Sequence, residues 1–304
     1  MNLAQITELN ETGAFEYLES IRWPDGPFCP HCGAIGNIVR INGKSARPGL
    51  RRCKDCRQQF TVRVGTIFES SHIPLRKWLM AFAMICASKK GVSALQLQRQ
   101  LGLGSYQTAW HMAHRVRHAM RTEPLASMLS GTVEVDETYV GGKPRKGSGI
   151  KSKAGRGTKK TPVIVLVERD GRVRSHRIES VSGKTLKGAI RDNVDRSATI
   201  MTDDWRAYGG IGKEFEGGHH VIRHSAGEYS RDGVNTNTAE SYFALLKRGV
   251  MGAFHHISKQ HLDRYCDEFT FRWDYRKVTD SERTVVALKM TEGKRLMYSQ
   301  PVTR

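Results

Sequence analysis

Three acidic residues and four cysteines in this sequence have the type and spacing to do chemistry. Asp136 follows Val133 and Val135, which alternate with polar neighbours at the period of a strand in GTVEVDETYVGG, residues 131–142. A carboxylate delivered to the end of a buried strand, where a Gly-Gly pair stops the run, is rigid and close to solvent, as a metal ligand should be. An acid that opens an ordinary turn is the alternative. Asp203 closes a second apolar run, ATIMTD, and strand ends at one sheet edge are where α/β ligand sites form. Its neighbour Asp204 points elsewhere at the strand period. Glu240 opens a helix, NTNTAESYFALLKRG, striped with Ala239, Phe243, Leu246 and Val250. Lys247, seven residues on, shares its face. There a carboxylate can bind metal while an ammonium meets an incoming phosphate; a solvated Glu–Lys pair is the alternative.

Cys29, Cys32, Cys53 and Cys56 form two Cys-x-x-Cys pairs with 20 residues between them. Thiolates at i and i+3 of a knuckle occupy two corners of a tetrahedron, and two knuckles close the site around Zn2+ with no position left for catalysis. The expected role is structural, and His31, inside the first knuckle, is not needed as a ligand. His255, His256 and His261 lack a carboxylate to complete a second set.

The elements that must hold these residues fall into two halves. With 304 residues, the chain has the length of about two domains. Residues 1–22 read as one amphipathic helix. Residues 23–70 read as a zinc ribbon crowded by Arg47, Arg51, Arg52, Lys54, Arg57 and Arg63. Residues 71–122 carry three helical patterns with Ser93 as a cap and a short turn at 102–105, the outline of a helix-turn-helix. Its last helix, Tyr106 to Met120, offers Gln107, Thr108, His111, His114, Arg115 and Arg117 as groove-facing donors; a plain helical spacer is the alternative. From 125 to 280 the order is three strands, a helix capped by Ser182, two strands and a long helix, which describes an α/β layer with a mixed sheet. Residues 281–304 read as a tail. Between the first two strands lies a basic loop whose eight Lys or Arg (143, 145, 146, 151, 153, 156, 159 and 160) could close over a phosphate backbone.

Charge narrows the partner. Lys plus Arg less Asp plus Glu is 49 − 30 = +19, an excess that asks for a polyanion, with nucleic acid ahead of an anionic membrane surface. No apolar run approaches a membrane span, and the N-terminus lacks a signal peptide's apolar segment. The expected setting is the cytoplasm, in association with the nucleoid.

Taken together, these residues resemble a known family. Asp136, Asp203 and Glu240, at separations of 203 − 136 = 67 and 240 − 203 = 37, resemble the DDE triad of ribonuclease-H-like transposases, including the Lys seven residues after the Glu. DETYVGG, TDDWRAY, NTAESYFALLKRG and GAFHHISKQHLDRYCDEFTFRWDYR are similar to motif blocks of bacterial insertion-sequence transposases with an N-terminal zinc ribbon. The likeness runs from about Trp23 to Arg276. It implies a ribonuclease-H-like mixed sheet with flanking helices, preceded by zinc ribbon and helix-turn-helix. It further implies two Mg2+ (or Mn2+) ions held by Asp136, Asp203 and Glu240, with Lys247 catalytic beside them. The activity implied is binding of terminal inverted repeats, followed by metal-dependent cleavage and strand transfer without a covalent protein intermediate. Arg51, Arg52, Lys54, Gln107, Thr108, His111 and Arg115 are the expected DNA contacts. A homodimer or higher oligomer is expected in the complex with double-stranded DNA. Some members use Asn as third ligand, which keeps Asn237, one turn before Glu240, as an alternative. A DNA-binding regulator or domesticated remnant without catalysis is the rival reading, and a structure-selective nuclease a third.

Overall fold

The computed structural model describes residues 1–43, 45–122, 128–142, 158–223, 226–228, 230–231 and 233–298. Most of the basic loop, 143–157, lies outside the described residues. The chain forms two compact units, Met1–Met120 with Lys277–Pro301, and Arg121–Arg276 with Val302–Arg304.

In the first unit the single helix expected over 1–22 is two, α1 (Leu3–Glu8) and α2 (Glu11–Arg22). The break has a local cause. Asn10 turns its side chain onto the backbone N–H of Gly13 at 2.8 Å and takes extended backbone, which ends one helix and caps the next. A three-stranded antiparallel sheet follows, β1 (Ile38–Arg40), β2 (Arg51–Cys53) and β3 (Gln59–Phe60). Trp23 packs edge-on against Phe28 and Phe60 beneath it, with centroids 6.2 and 6.1 Å away. Then come α3 (Leu75–Ala87), α4 (Ala94–Leu101) and α5 (Tyr106–Ala119). Ser93 and Ser105 cap α4 and α5, and between those helices Gly102 takes φ +57°, a left-handed cap that a Cβ would disfavour.

The second unit is built on one sheet. Strands β4 (Thr132–Val140), β5 (Thr161–Glu168) and β6 (Val173–Arg177) pair antiparallel; after helix α6 (Gly183–Asn193), β7 (Thr199–Asp203) pairs parallel to β4, and β8 (His219–Ile222) parallel to β7. The order across the sheet is β6-β5-β4-β7-β8. Both faces are covered, so β5 reads PVIVLVE, a nearly unbroken apolar run. Val133, Val135, Ile164, Leu166 and Ile200 pack with Leu186 and Ile190 of α6. On the other face Val140, Val163, Val165 and Val167 meet α7 (Asn237–Gly249) through Tyr242, Phe243 and Leu246, and α8 (Leu262–Asp274) through Cys266 and Phe269. Each such buried aliphatic or aromatic side chain contributes about 1.5–3 kcal/mol. The mixed α/β sheet expected from the order of elements is present.

Residues 281–304 are not simply a tail. A helix, α9 (Asp280–Lys289), opens on a capping box of Thr279 and Glu282 and packs in the first unit against α3 and α2, with Ala287 and Leu288 buried. No described helix is long and apolar enough to cross a membrane.

Candidate active site

Strand β4 does not stop at Asp136. Its pairing with β5 continues to Val140↔Thr161, so Asp136 sits mid-strand rather than at a tip. What stops there is the other neighbour: the last β4–β7 pair is Glu134↔Met201. That pair has a register offset of 201 − 134 = 67, and Asp136 and Asp203 keep it, 203 − 136 = 67. The two aspartates therefore stand opposite each other, two residues beyond the point where the strands part. The pleat fixes their face. Ile200 packs with α6, so Met201 and Asp203 point to the opposite side, the side on which α7 covers Val163 and Val165. Asp204 has the wrong parity for that face.

Electrostatics reports the same crowding. The Asp136 carboxyl is pushed up from 3.8 to about 7, first by burial and then by the charges of Glu137, Asp203 and Glu240, against the lowering effect of the Glu137 backbone N–H. That N–H donates to Asp136 Oδ1 at 2.7 Å, and the Trp205 N–H donates to Asp203 Oδ1 at 3.1 Å. Glu240 lies exposed near the start of α7. Lys247, also exposed, lies with Nζ 5.6 Å from the centre of the Phe243 ring. Hard carboxylate oxygens whose charges oppose one another are the donor type that divalent cations of the Mg2+ or Mn2+ kind take. These carboxylates are set more loosely than the thiolates described below: among the described residues only the four cysteines bring three or more ligand atoms within 4.8 Å.

Two further acids on β4 do work that the sequence did not announce. Glu137, pointing to the α6 face, accepts a hydrogen bond from the Tyr208 hydroxyl at 2.7 Å. Tyr208 is fully buried, and burial together with the Glu137 charge drives its pKa far up, so the phenol keeps its proton. Tyr208 belongs to the core that α6 makes with the sheet. Glu134 is 0 % exposed. Its Oε2 accepts from the backbone N–H of Thr238 at 2.8 Å and of Ala239 at 3.1 Å; its Oε1 accepts from the Thr238 hydroxyl at 2.9 Å and from Arg169 Nε at 2.8 Å.

In the first unit the Sγ atoms of Cys29 and Cys56 are 3.6 Å apart, and those of Cys32 and Cys53 3.7 Å. A tetrahedron of Zn–S bonds of about 2.3 Å has an edge of roughly 3.8 Å. The four thiols fit Zn2+ and leave it no open position. Each knuckle is a tight turn, with the Cys29 N–H on Ala34 O and the Cys53 N–H on Gln58 O.

The cations around that ribbon divide. Arg52, Lys54 and Arg57 are exposed. Arg51 is engaged internally, donating through Nε and a terminal nitrogen to the two oxygens of Glu19 at 3.3 and 2.6 Å, with its guanidinium 5.6 Å from the Trp23 ring. On α5, Gln107 is exposed and Thr108 and His111 are half-buried, but His114, Arg115 and Arg117 are buried. Arg115 donates to Glu69 O at 2.8 Å and stacks over Trp78, and burial lowers its pKa to about 10. These three residues do not face a groove; they lie on the core side of α5. Likewise Arg272, on α8 of the second unit, is buried on Glu268 at 2.6 Å.

Comparison with known proteins follows the same division of the chain. A family model described as an ISXO2-like transposase domain matches residues 128–274. One described as a transposase zinc-ribbon domain matches residues 9–59. A protein of Halobacterium salinarum, described as an uncharacterized protein in transposable element ISH50, is 31 % identical over 280 residues, covering 88 % of this chain and 92 % of its own length. Among solved structures, a Mos1 strand transfer complex is similar over 64 % of this chain and 69 % of that one, at 14 % identity and a TM-score of 0.28. A pre-cleavage Mos1 transpososome is similar over 67 % and 75 %, at 15 % identity and a TM-score of 0.24.

Proposed function

We propose a DNA-cutting and DNA-joining role, with Asp136, Asp203 and Glu240 as its metal ligands, for this chain, which belongs to the insertion-sequence transposases that pair an ISXO2-like transposase domain with an N-terminal zinc ribbon. Asp136, Asp203 and Glu240 would hold Mg2+ or Mn2+, which would supply a water of lowered pKa and offset charge at the scissile phosphate and the leaving 3′ oxygen. The rest falls to side chains. Asp136, with its pKa near 7, must give up its proton to become a ligand. Lys247, two turns along α7 from Glu240, meets a phosphate oxygen. No covalent protein intermediate is formed; Cys86 and Cys266 are buried and unavailable as nucleophiles. Arg52, Lys54, Gln107, Thr108 and His111 contact the element's ends. Arg51 and Arg115 are spent on Glu19 and on the Glu69 carbonyl, and drop out of that set. Joining two element ends asks for at least two copies of the chain on DNA.

The observation that supports this reading most is the shared register of 67 between β4 and β7, which carries Asp136 and Asp203 to one face where their strands diverge. The test is strand transfer by purified Asp136→Ala protein. Cleavage and joining should disappear while binding of terminal-repeat DNA is retained. Undiminished joining would refute the assignment. Retained binding with no divalent-ion dependence in the parent protein would favour a regulator.

A further inference from the structure

We propose that Glu134 and Arg169 form a clamp that positions the three metal-binding carboxylates, with Glu134 the positioning residue at its centre. The inference rests on the reading of Asp136, Asp203 and Glu240 as ligands and adds what sets them against one another.

Thr236, at the cap position of α7, makes no side-chain cap bond, and Asn235 Oδ1 takes the Asn237 N–H at 3.2 Å, which leaves the next N–H groups to other acceptors. The free N–H groups at the start of a helix carry partial positive charge and need acceptors. Glu134 supplies them from 104 residues away, through the Thr238 and Ala239 N–H groups and the Thr238 hydroxyl. Its remaining acceptor capacity goes to Arg169 Nε at 2.8 Å. Arg169 is fixed in turn, since its backbone N–H donates to Thr132 O at 2.9 Å. One of its terminal nitrogens lies 3.1 Å from Met201 Sδ and 3.2 Å from Asn235 O.

The places held are informative. Glu134 is two residues before Asp136 on β4, Met201 two before Asp203 on β7, and Thr238 two before Glu240 on α7. The clamp thus grips all three ligand-bearing elements one short step upstream of each ligand. Two residues span about 6.6 Å of strand or 3 Å of helix, so little slack intervenes between clamp and ligand. Glu134 is not itself a ligand for an added ion. It is fully buried, and both oxygens are already engaged. A buried carboxylate satisfied by four donors is rigid, and rigidity is what a ligand set assembled from distant segments requires.

The experiment uses the full-length, zinc-loaded chain. Glu134→Gln keeps size but turns one acceptor oxygen into an NH2 group that must face donors; Arg169→Met is the milder second variant. Three quantities are measured: Mn2+ affinity by calorimetry, the Mn2+ concentration for half-maximal single-turnover cleavage of terminal-repeat DNA, and amide hydrogen exchange over 237–243. Ser182→Ala, which uncaps α6 on the other face of the sheet, is the control for a merely structural loss. Glu134→Gln should weaken Mn2+ binding by about tenfold or more, raise the Mn2+ requirement of cleavage similarly and speed exchange at the start of α7, with Arg169→Met in the same direction. Ser182→Ala should leave all three within about twofold. Unchanged Mn2+ affinity and unchanged exchange in Glu134→Gln would overturn the clamp, as would equal effects of Ser182→Ala. If instead Asp136→Ala binds Mn2+ as tightly as the parent, the ligand assignment fails, and the exchange data still decide whether Glu134 holds α7.

Discussion

Replacing Asp136 by Asn should stabilise the protein while ending its chemistry. In the folded chain without a divalent ion, burial and the charges of Glu137, Asp203 and Glu240 raise the Asp136 pKa from 3.8 to about 7. The folded state therefore holds this proton where the unfolded chain has released it. Stability from this group is fully present below about pH 4 and is lost as pH rises through about 7. At about 1.4 kcal/mol per pKa unit, a rise of 7 − 3.8 = 3.2 corresponds to roughly 4 kcal/mol, and partial exposure reduces this to about 3. Asn cannot ionise, yet its Oδ1 can still accept from the Glu137 N–H. The assay is urea denaturation in buffer free of Mg2+ and Mn2+ but with zinc left in place, at pH values from about 5 to 8, comparing the two proteins at each. The gain of Asp136→Asn should grow with pH, reach about 3 kcal/mol near pH 8, and be accompanied by loss of the stabilisation that added Mn2+ gives the parent. A variant no more stable than the parent at pH 8, or a gain that does not vary with pH, would refute the electrostatic account.

Four other perturbations separate structural from functional roles. Cys53→Ser should lose zinc and unfold the ribbon, seen as loss of stoichiometric zinc and of near-ultraviolet dichroism arising from Trp23. Arg115→Met should cost about 2 kcal/mol or more of stability, because Glu69 O and the Trp78 face lose a buried partner. Arg52→Ala, by contrast, should leave the melting temperature unchanged, weaken DNA binding across sequences and reduce the salt slope by about one. Tyr208→Phe should cost about 1–2 kcal/mol by removing the buried hydroxyl that donates to Glu137, with cleavage reduced less than in Glu134→Gln. Equal loss in the two variants would argue that the whole neighbourhood of Asp136, rather than the clamp, governs the rate.

Much of this was legible in the sequence because local rules decide it. Two Cys-x-x-Cys turns have little choice of partner, and Ser93 and Ser182 announce helix starts by chemistry that needs no tertiary contact. The sheet's element order was legible from its apolar runs. What escaped depends on distant partners. Asp136 looked terminal because of Gly141 and Gly142, but strand length is set by β5, which continues, and the opening is made by β7, which does not. Glu134 in VEVD reads as the solvent side of an alternating strand; only a helix 104 residues later buries it. Arg115 reads as a donor on a helix face, and Glu69 and Trp78 show that face to be inward. The C-terminal helix, α9, did carry a local signal, the Thr279-x-x-Glu282 box before an apolar run, which reading 281–304 as a tail passed over.

Acids from β4, β7 and α7 are expected to hold divalent ions jointly. In a calorimetric titration of Mn2+, the zinc-loaded parent should bind saturably and its Asp203→Ala variant should not. Equal affinity of the two proteins for Mn2+ would overturn the assignment.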